Sequence, residues 1–366
     1  MYSRRSVRYY LILSCILLAA ALLAAAAMPS PVHALQNAES TQIETARPSV
    51  NGRLHVEGTQ LVDETGEAVQ LRGVSTHGLT WYPDFINGSL FGQLADDWNC
   101  NFIRLAMYSS LYCGGEKEES LRLMEQGIEN AVASDMYVLV DWHILEDNDP
   151  NINLDEAIGF FDRIAEKYAD VPNLIFEICN EPNGDNTRWN DVYVYSMQVI
   201  PVIRKHIPDA VIVTGTPNFD QNLGSSALRP LPFDNVMYVL HFYTASHHED
   251  LRTELTSAVD AGLPVFISEC GICEASGDGR IDFESAAEWF QYLYEHKISY
   301  AVWSLSDKNE TSAFFRPGFD PYGQIRDRDL TAAGRWVREL IRGTEPGKIP
   351  AEQAVVEKSF LSGVSS

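Results

Sequence analysis

Eight short apolar runs recur along the chain, each rich in β-branched or aromatic residues and bounded by polar or turn-forming ones. Within a run the apolar character is nearly continuous rather than alternating, which is typical of strands covered on both faces in a parallel sheet. The runs span residues 69–75, 102–107, 137–142, 174–179, 210–215, 236–242, 264–270 and 300–305. We therefore predict eight parallel β-strands.

Segments with helical spacing of apolar residues alternate with these runs. They span residues 121–132, 157–168, 192–206, 251–261, 283–295 and 332–341. Successive strand–helix units predict an α/β fold, the (β/α)₈ TIM barrel. The fifth unit is the weakest, because residues 220–232 predict only a short or broken helix. An open doubly wound sheet is the alternative, but no glycine-rich phosphate loop follows the first strand.

The barrel is predicted to be a single domain at residues 48–344, since no Pro/Thr-rich or Gly/Ser-rich hinge interrupts it. Near its start, residues 54–67 predict a small N-terminal β-hairpin that turns at Thr65-Gly66 and plugs the barrel from below. Residues 35–47 are polar and mixed and are interpreted as a linker. Residues 345–366 are interpreted as a C-terminal tail.

The first 34 residues have the pattern of a secretory signal peptide. Arg4, Arg5 and Arg8 precede an apolar stretch at 9–28, and residues 32–34 suit a cleavage site. An uncleaved membrane anchor is the alternative, because the stretch approaches the roughly 20 residues that span a bilayer. We expect a secreted, extracellular protein with no membrane association once the leader is cleaved.

Charge narrows the range of partners. The chain has 51 acidic against 27 basic residues, a formal charge of −24, while 45% of its residues are hydrophobic. This composition suits a folded core under an acidic surface, and the only dense basic run lies in the leader. Nucleic acid is therefore not an expected partner. We expect a monomer.

The cysteines do not form a metal or disulfide framework. With Cys15 in the leader, five remain, at spacings that form no two close pairs. Cys270 and Cys273 make the only CxxC pair, which fits small residues in a loop or one local disulfide. No metal or other cofactor is predicted.

Two glutamates lie at the carboxyl ends of predicted strands, which is where the active sites of (β/α)₈ barrels are found. The fourth strand ends in Asn180-Glu181-Pro182 and the seventh in Ser268-Glu269-Cys270. A carboxylate at the rim of a buried strand is costly without a purpose. Strands four and seven lie across the barrel mouth from each other, and two facing carboxylates are the machinery of glycoside hydrolysis.

Other strand ends bring further polar and aromatic side chains to the same rim, which packing alone does not explain. They are His77, Arg104, Asp141, His143, His241, Tyr243 and Trp303. A metal hydrolase that uses His77, His143, His241 and Asp141 is a weaker hypothesis, because the chain has no HExxH-like spacing to support it.

Seven segments, in family order, resemble glycoside hydrolase family 5, and most closely its bacterial endo-β-1,4-glucanase (cellulase) subfamily. They are QLRGVSTHG at 70–78, IRLAMY at 103–108, VDWH at 140–143, ICNEP at 178–182, HFY at 241–243, ISE at 267–269 and WSLSDKNE at 303–310. The resemblance covers about residues 50–320. It implies a retaining endo-β-1,4-glucanase whose partner is a β-1,4-glucan such as cellulose, with no cofactor.

Carried over by position, the resemblance implies that Glu181 is the general acid/base and Glu269 the nucleophile. Asn180 would bond the sugar 2-hydroxyl, and Arg104, His241 and Tyr243 would surround the carboxylates. Substrate-contacting positions would be His77, Trp81, Tyr82, Tyr108, His143, Ala275, Ser276, Trp303, Lys308, Asn309 and Glu310.

Elementary electrostatics supports different roles for the two carboxyls. Arg104 and the Tyr243 hydroxyl would stabilise the charge on Glu269, whereas burial beside that anion would raise the pKa of Glu181.

The chain departs from the subfamily at Cys270 and Phe219, where tryptophans are usual. We expect the chemistry to survive and subsite preference to change.

Other functions are compatible with parts of this pattern. A mannanase or xyloglucan-active enzyme of the same family would share the fold and both carboxylates. A catalytically silent glucan-binding protein would share the fold alone, but Glu181 and Glu269 are both present with their neighbours.

Overall fold

Nine short parallel strands form a sheet that closes on itself in the computed structural model, which describes residues 45–351. They are β3 (Arg72–Thr76), β4 (Phe102–Tyr108), β5 (Tyr137–His143), β6 (Leu174–Glu177), β7 (Ile212–Thr214), β8 (Val236–Val239), β9 (Phe242–Tyr243), β10 (Val265–Gly271) and β11 (Tyr300–Leu305). β8 and β9 both pair with β10 and occupy one barrel position, while β11 pairs with both β10 and β3. The ring therefore has eight positions, and the predicted (β/α)₈ barrel is confirmed.

Helices follow the strands along the chain, and each of the longer ones buries one apolar face. They span Gly88–Asp96, Lys117–Ala133, Leu154–Lys167, Trp189–Arg204, Leu223–Leu228, Glu249–Asp260, Phe283–Glu295 and Ala332–Ile341. Short helical turns lie at Pro48–Asn51, Pro83–Phe85, Ser109–Leu111, Tyr112–Glu116, Pro217–Asp220, Asp327–Asp329 and Pro346–Lys348. The fifth unit has the short helix that its sequence predicts.

The N-terminal hairpin consists of β1 (His55–Glu57) and β2 (Gln60–Val62), which pair antiparallel. The buried side chains of Leu54 and Leu61 share one apolar cluster with Phe102 of the barrel interior. The predicted turn was misplaced, because β1 and β2 connect through Gly58-Thr59. Thr65-Gly66 makes a second reversal, which brings Ala68 back beside Val62.

The predicted leader (1–34) lies outside the described residues, as do residues 35–44 and 352–366. Part of the predicted linker is folded onto the barrel: Ala46 is buried, and Arg47 donates to the Ala95 and Cys100 carbonyls at 2.9 and 2.8 Å. Between residues 45 and 351, no helix is both long and apolar enough to cross a membrane. All cysteines of that span are free thiols, so no disulfide joins Cys270 and Cys273 in this structure.

The barrel interior has an apolar floor and a polar upper layer. Because side chains alternate along a strand, Phe102 and Leu139 lie in the floor while Arg104 and Asp141, two residues further on, meet above it. In β10 the register shifts between Ile267 and Cys270. Such irregularities re-aim side chains near active sites, and here two consecutive residues, 268 and 269, both reach the polar layer.

Candidate active site

The polar layer is centred on the guanidinium of Arg104, which is fully buried. Its Nε lies 2.7 Å from a carboxylate oxygen of Glu177, Nη1 2.9 Å from Glu269, and Nη2 3.0 Å from Asp141. Nη2 also donates to the side-chain oxygen of Asn180 at 2.6 Å. Burial disfavours this charge, but the three carboxylates outweigh it and raise the pKa of Arg104 well above its ordinary value. Arg104 is therefore a permanent buried cation.

Both carboxylate oxygens of Glu269 are held. Oε2 accepts from Arg104, and Oε1 accepts from the Tyr243 hydroxyl at 2.7 Å. Burial and the neighbouring Glu269 raise the pKa of Tyr243 well above its usual range, so the hydroxyl stays a donor. Gly271 makes room for this ring, because a Cβ there would lie 2.4 Å from a ring carbon of Tyr243. The negative charge of Glu269 is thus compensated and its orientation fixed.

Glu181 has a different environment, although the structure places it beside Glu269. One oxygen from each carboxylate and one His241 nitrogen all lie within 4.8 Å of one another. Oε1 of Glu181 lies 2.9 Å from Nδ1 of His241. Burial raises the pKa of Glu181 to about 7, although His143 and Arg104 act to lower it.

The hydrogen-bond chain behind His241 assigns the proton between the two side chains to Glu181. The Ser268 hydroxyl donates its one hydrogen to Glu177 at 2.6 Å, so it accepts from Nε2 of His241 at 2.9 Å. Burial lowers the pKa of His241 to about 4, so the ring is neutral and its Nδ1 carries no proton. The hydrogen bond to Nδ1 therefore requires a protonated Glu181.

Hydrogen bonds also determine the tautomer of His143 and the orientation of the Asn180 amide. Nδ1 of His143 lies 2.8 Å from Asp141, which leaves its Nε2 as the acceptor 3.3 Å from the Asn180 amide nitrogen. That nitrogen also donates to the Ile144 carbonyl at 2.8 Å. Since its oxygen is bonded to Arg104, the Asn180 amide has one orientation.

A cleft of about 370 Å³ opens above the two carboxylates. Its aromatic wall is continuous: the Tyr108 ring lies 4.4 Å from that of Trp81 and 4.2 Å from that of His143, and Trp303 lies 4.8 Å from His77. The predicted residues that line the cleft are His77, Trp81, Tyr108, His143, Glu181, Tyr243, Glu269, Ala275, Ser276, Trp303, Lys308 and Glu310. Phe219, noted as a departure from the subfamily, lines it too.

The remaining predicted residues lie beside or beneath the cleft. Arg104, Asn180 and His241 are buried under the carboxylates. Tyr82 packs behind the wall with its ring 5.0 Å from His77, and Asn309 is exposed next to Lys308 and does not line the cleft.

Sequence reasoning missed residues both in the network and on the cleft. They are Glu177, Asp220 and Ser268 in the network and Leu145, Glu146 and Gly277 on the cleft wall. Glu177 had a signal, since it is the one charged residue in the apolar run 174–179.

The described residues contain one cluster of three side chains spaced to hold a metal ion, formed by Glu181, His241 and Glu269. It is not the histidine-rich set of the metal-hydrolase hypothesis. Arg104 and Tyr243 already occupy both oxygens of Glu269. The donor set therefore fits a hydrogen-bonded acid pair better than a metal centre.

Comparison with known proteins shows the family to which this chain belongs. Residues 62–309 match the model for cellulase (glycosyl hydrolase family 5). The chain belongs to glycosyl hydrolase family 5. This is the family that the seven segments resemble.

Family 5 relatives are similar over most of the chain. Endoglucanase A of Butyrivibrio fibrisolvens is 45% identical over 297 residues, which are 79% of this chain and 68% of the relative. Endoglucanase A of Evansella cellulosilytica is 42% identical over 288 residues, which are 78% of this chain and 58% of the relative. The crystal structure of the catalytic domain of a Thermobifida fusca endoglucanase superposes with a TM-score of 0.78 at 39% identity, covering 81% of this chain and all of that domain.

We expect Arg104→Met to lower the free energy of unfolding by roughly 3–5 kcal/mol, because three buried carboxylates lose their counter-charge. Burial already raises the pKa of Asp141 to about 8 against the lowering effect of Arg104, and losing Arg104 raises it further. The folded variant then holds protons that the unfolded chain releases, so its loss of stability shrinks as the pH falls. Urea unfolding at pH 5 and pH 8 measures both effects.

The matched control is Arg122→Met, which breaks an exposed ion pair with Glu119 on a helix. It is expected to cost less than about 1 kcal/mol at either pH. Equal losses for the two variants would contradict the central place of Arg104.

Proposed function

We propose that this protein is a secreted, retaining endo-β-1,4-glucanase that cleaves internal bonds of cellulose and soluble β-glucans. The observation that carries the proposal is the pair Glu181 and Glu269, close together at the barrel mouth, with Glu181 hydrogen-bonded to His241 and Glu269 to Arg104 and Tyr243. Family membership and relatives named endoglucanase support the substrate class. Export rests on the leader pattern in residues 1–34.

The distance between the carboxylates supports retention of configuration. Retaining glycosidases hold their carboxyl groups about 5–5.5 Å apart, whereas inverting enzymes need about 6.5–9.5 Å to admit a water molecule between acid and base. An oxygen of Glu181 and one of Glu269 lie within 4.8 Å. This spacing leaves room for direct attack by a carboxylate on the sugar.

In the first step Glu269 attacks the anomeric carbon while the glycosidic C–O bond breaks. Glu181 delivers its proton to the departing oxygen, so the leaving sugar departs as a neutral alcohol. Arg104 and Tyr243 hold Glu269 in line for attack, and Arg104 also fixes the Asn180 amide.

Attack removes the negative charge of Glu269, whose carboxylate lies beside that of Glu181. Once Glu269 is an ester, Glu181 is an anion beside a neutral group, and it accepts a proton from a water molecule that attacks the anomeric carbon. The ester bond breaks, the sugar leaves with the configuration it had in the polymer, and Glu269 regains its charge.

The cleft suits a neutral polysaccharide. Aromatic side chains such as Trp81 and Trp303 offer faces for the apolar faces of β-linked glucose, and the Lys308–Glu310 ion pair at 2.6 Å offers polar contacts at the rim. A formal charge of −24 disfavours anionic polymers and leaves neutral glucans unaffected.

The substrate class is tested by parallel reducing-sugar assays on carboxymethylcellulose, barley β-glucan, xyloglucan and mannan. We expect the neutral barley β-glucan to be hydrolysed fastest and the anionic carboxymethylcellulose more slowly, but still faster than xyloglucan or mannan, with a rapid fall in viscosity that marks internal cleavage. A sample dialysed against a chelator should keep full activity. Dominant activity on mannan or xyloglucan, or no hydrolysis at all, would overturn the proposal.

The pH dependence follows from the acid role of Glu181. Because burial raises its pKa to about 7, kcat/KM for cello-oligosaccharides should fall about tenfold per pH unit above that value as the acid loses its proton. An aryl cellobioside with a 2,4-dinitrophenolate leaving group needs no protonation, so its alkaline limb should be absent. A common alkaline limb for both substrates would contradict the assignment.

A further inference from the structure

The loop after β7 is tied to the turn that carries Glu181. The Gly215 amide donates to the Cys179 carbonyl at 3.1 Å, and the Phe219 amide donates to the Pro182 carbonyl at 3.2 Å. A Cβ at Gly215 would lie 2.5 Å from the Cys179 oxygen, so only glycine allows this close approach. The loop therefore braces the catalytic turn from both sides.

The conformation of this loop is held against its intrinsic preference. Asn218, Phe219 and Asp220 have φ values of 61°, 57° and 57°, three successive non-glycine residues in the left-handed region, and Glu181 itself has φ of 32°. Side chains with a Cβ disfavour this region, and such residues persist where surrounding contacts over-determine them.

Asp220 supplies those contacts through a fully buried carboxylate. Oδ1 accepts the Thr216 amide, and Oδ2 accepts the backbone amide of Glu181 at 2.9 Å. Oδ2 also lies 3.4 Å from Nδ1 of His241, which is a packing contact and not a hydrogen bond, because that nitrogen accepts from the Glu181 side chain. Asp220 thus contacts Glu181 and its hydrogen-bond partner.

The backbone of Asp220 adds a second route to His241. Its carbonyl accepts the His241 amide at 2.9 Å, at the interruption between β8 and β9. The His241 amide points to Asp220 instead of joining the ladder with β10. The backbone position of the imidazole, like that of Glu181, depends on Asp220.

We propose that Asp220 is a positioning residue for the acid role of Glu181. It fixes the backbone of Glu181 and the imidazole that orients its carboxyl, so that the proton is aimed at the glycosidic oxygen. Asp220 does not line the cleft and touches no reacting atom. The proposal rests on the proposed function of the Glu181 and Glu269 pair.

The test compares two leaving groups, because a misaimed acid slows only reactions that need it. Asparagine has the shape of Asp220 but can accept only one of the two amides that face the carboxylate. We expect Asp220→Asn to lower kcat/KM for cellopentaose by about tenfold or more, and to leave kcat/KM for 2,4-dinitrophenyl cellobioside within about twofold. Gly215→Ala, which pushes the loop away from the turn, should show the same selectivity if Asp220→Asn does not fold.

Two control variants separate the possible outcomes. Asn222→Ala removes the cap on the Ser225 amide in the same loop, and should lower the unfolding temperature without changing the ratio of the two rates. Glu181→Gln shows how far kcat/KM for each substrate falls when the acid is lost completely. If Glu181→Gln shows no dependence on the leaving group, the proposed function fails. If Glu181→Gln shows it while Asp220→Asn and Gly215→Ala slow both substrates equally or neither, the role of Asp220 is overturned.

Discussion

The ion-pair network around Arg104 is the constraint on which the site depends. A cation inside a barrel is costly unless it is paired and bonded, and the same holds for each carboxylate. Arg104 meets Asp141, Glu177 and Glu269 at once, so four ionisable groups whose charges would be prohibitive singly are buried together above an apolar floor. The alternation of side chains along β4, β5 and β6 makes this possible, because it stacks one polar layer on one apolar layer.

The network also gives two neighbouring glutamates different surroundings, and therefore different roles. Glu269 faces the guanidinium and a phenol, which stabilise its charge. Glu181 faces a neutral imidazole whose tautomer is set through Ser268, and burial raises its pKa to about 7. Environments that differ this way assign acid and base roles in hydrolases. The acid is held by the loop after β7, while the nucleophile is held by the barrel wall.

The sequence predicts the parts of this structure that depend on local pattern. Parallel strands covered on both faces leave continuous apolar runs, so all eight barrel positions were found. The helix Gly88–Asp96 was not, because two glycines weaken its propensity although its apolar face is buried. The run 236–242 is interrupted by the bond from His241 to Asp220, a contact between distant residues that no local pattern encodes. Glu177 could be recognised from the sequence as the one charged residue of its strand, but its ion pair with Arg104 on another strand could not.

Because Arg104 compensates its charge, Glu269, and not Glu181, is expected to be the group that attacks the sugar. Incubation with a 2-deoxy-2-fluoro cellobioside that carries a good leaving group would trap the covalent intermediate, and mass spectrometry of peptides would locate it. We expect one label per chain, on Glu269. A label on Glu181, or continued hydrolysis of glucan with no label on either glutamate, would contradict it.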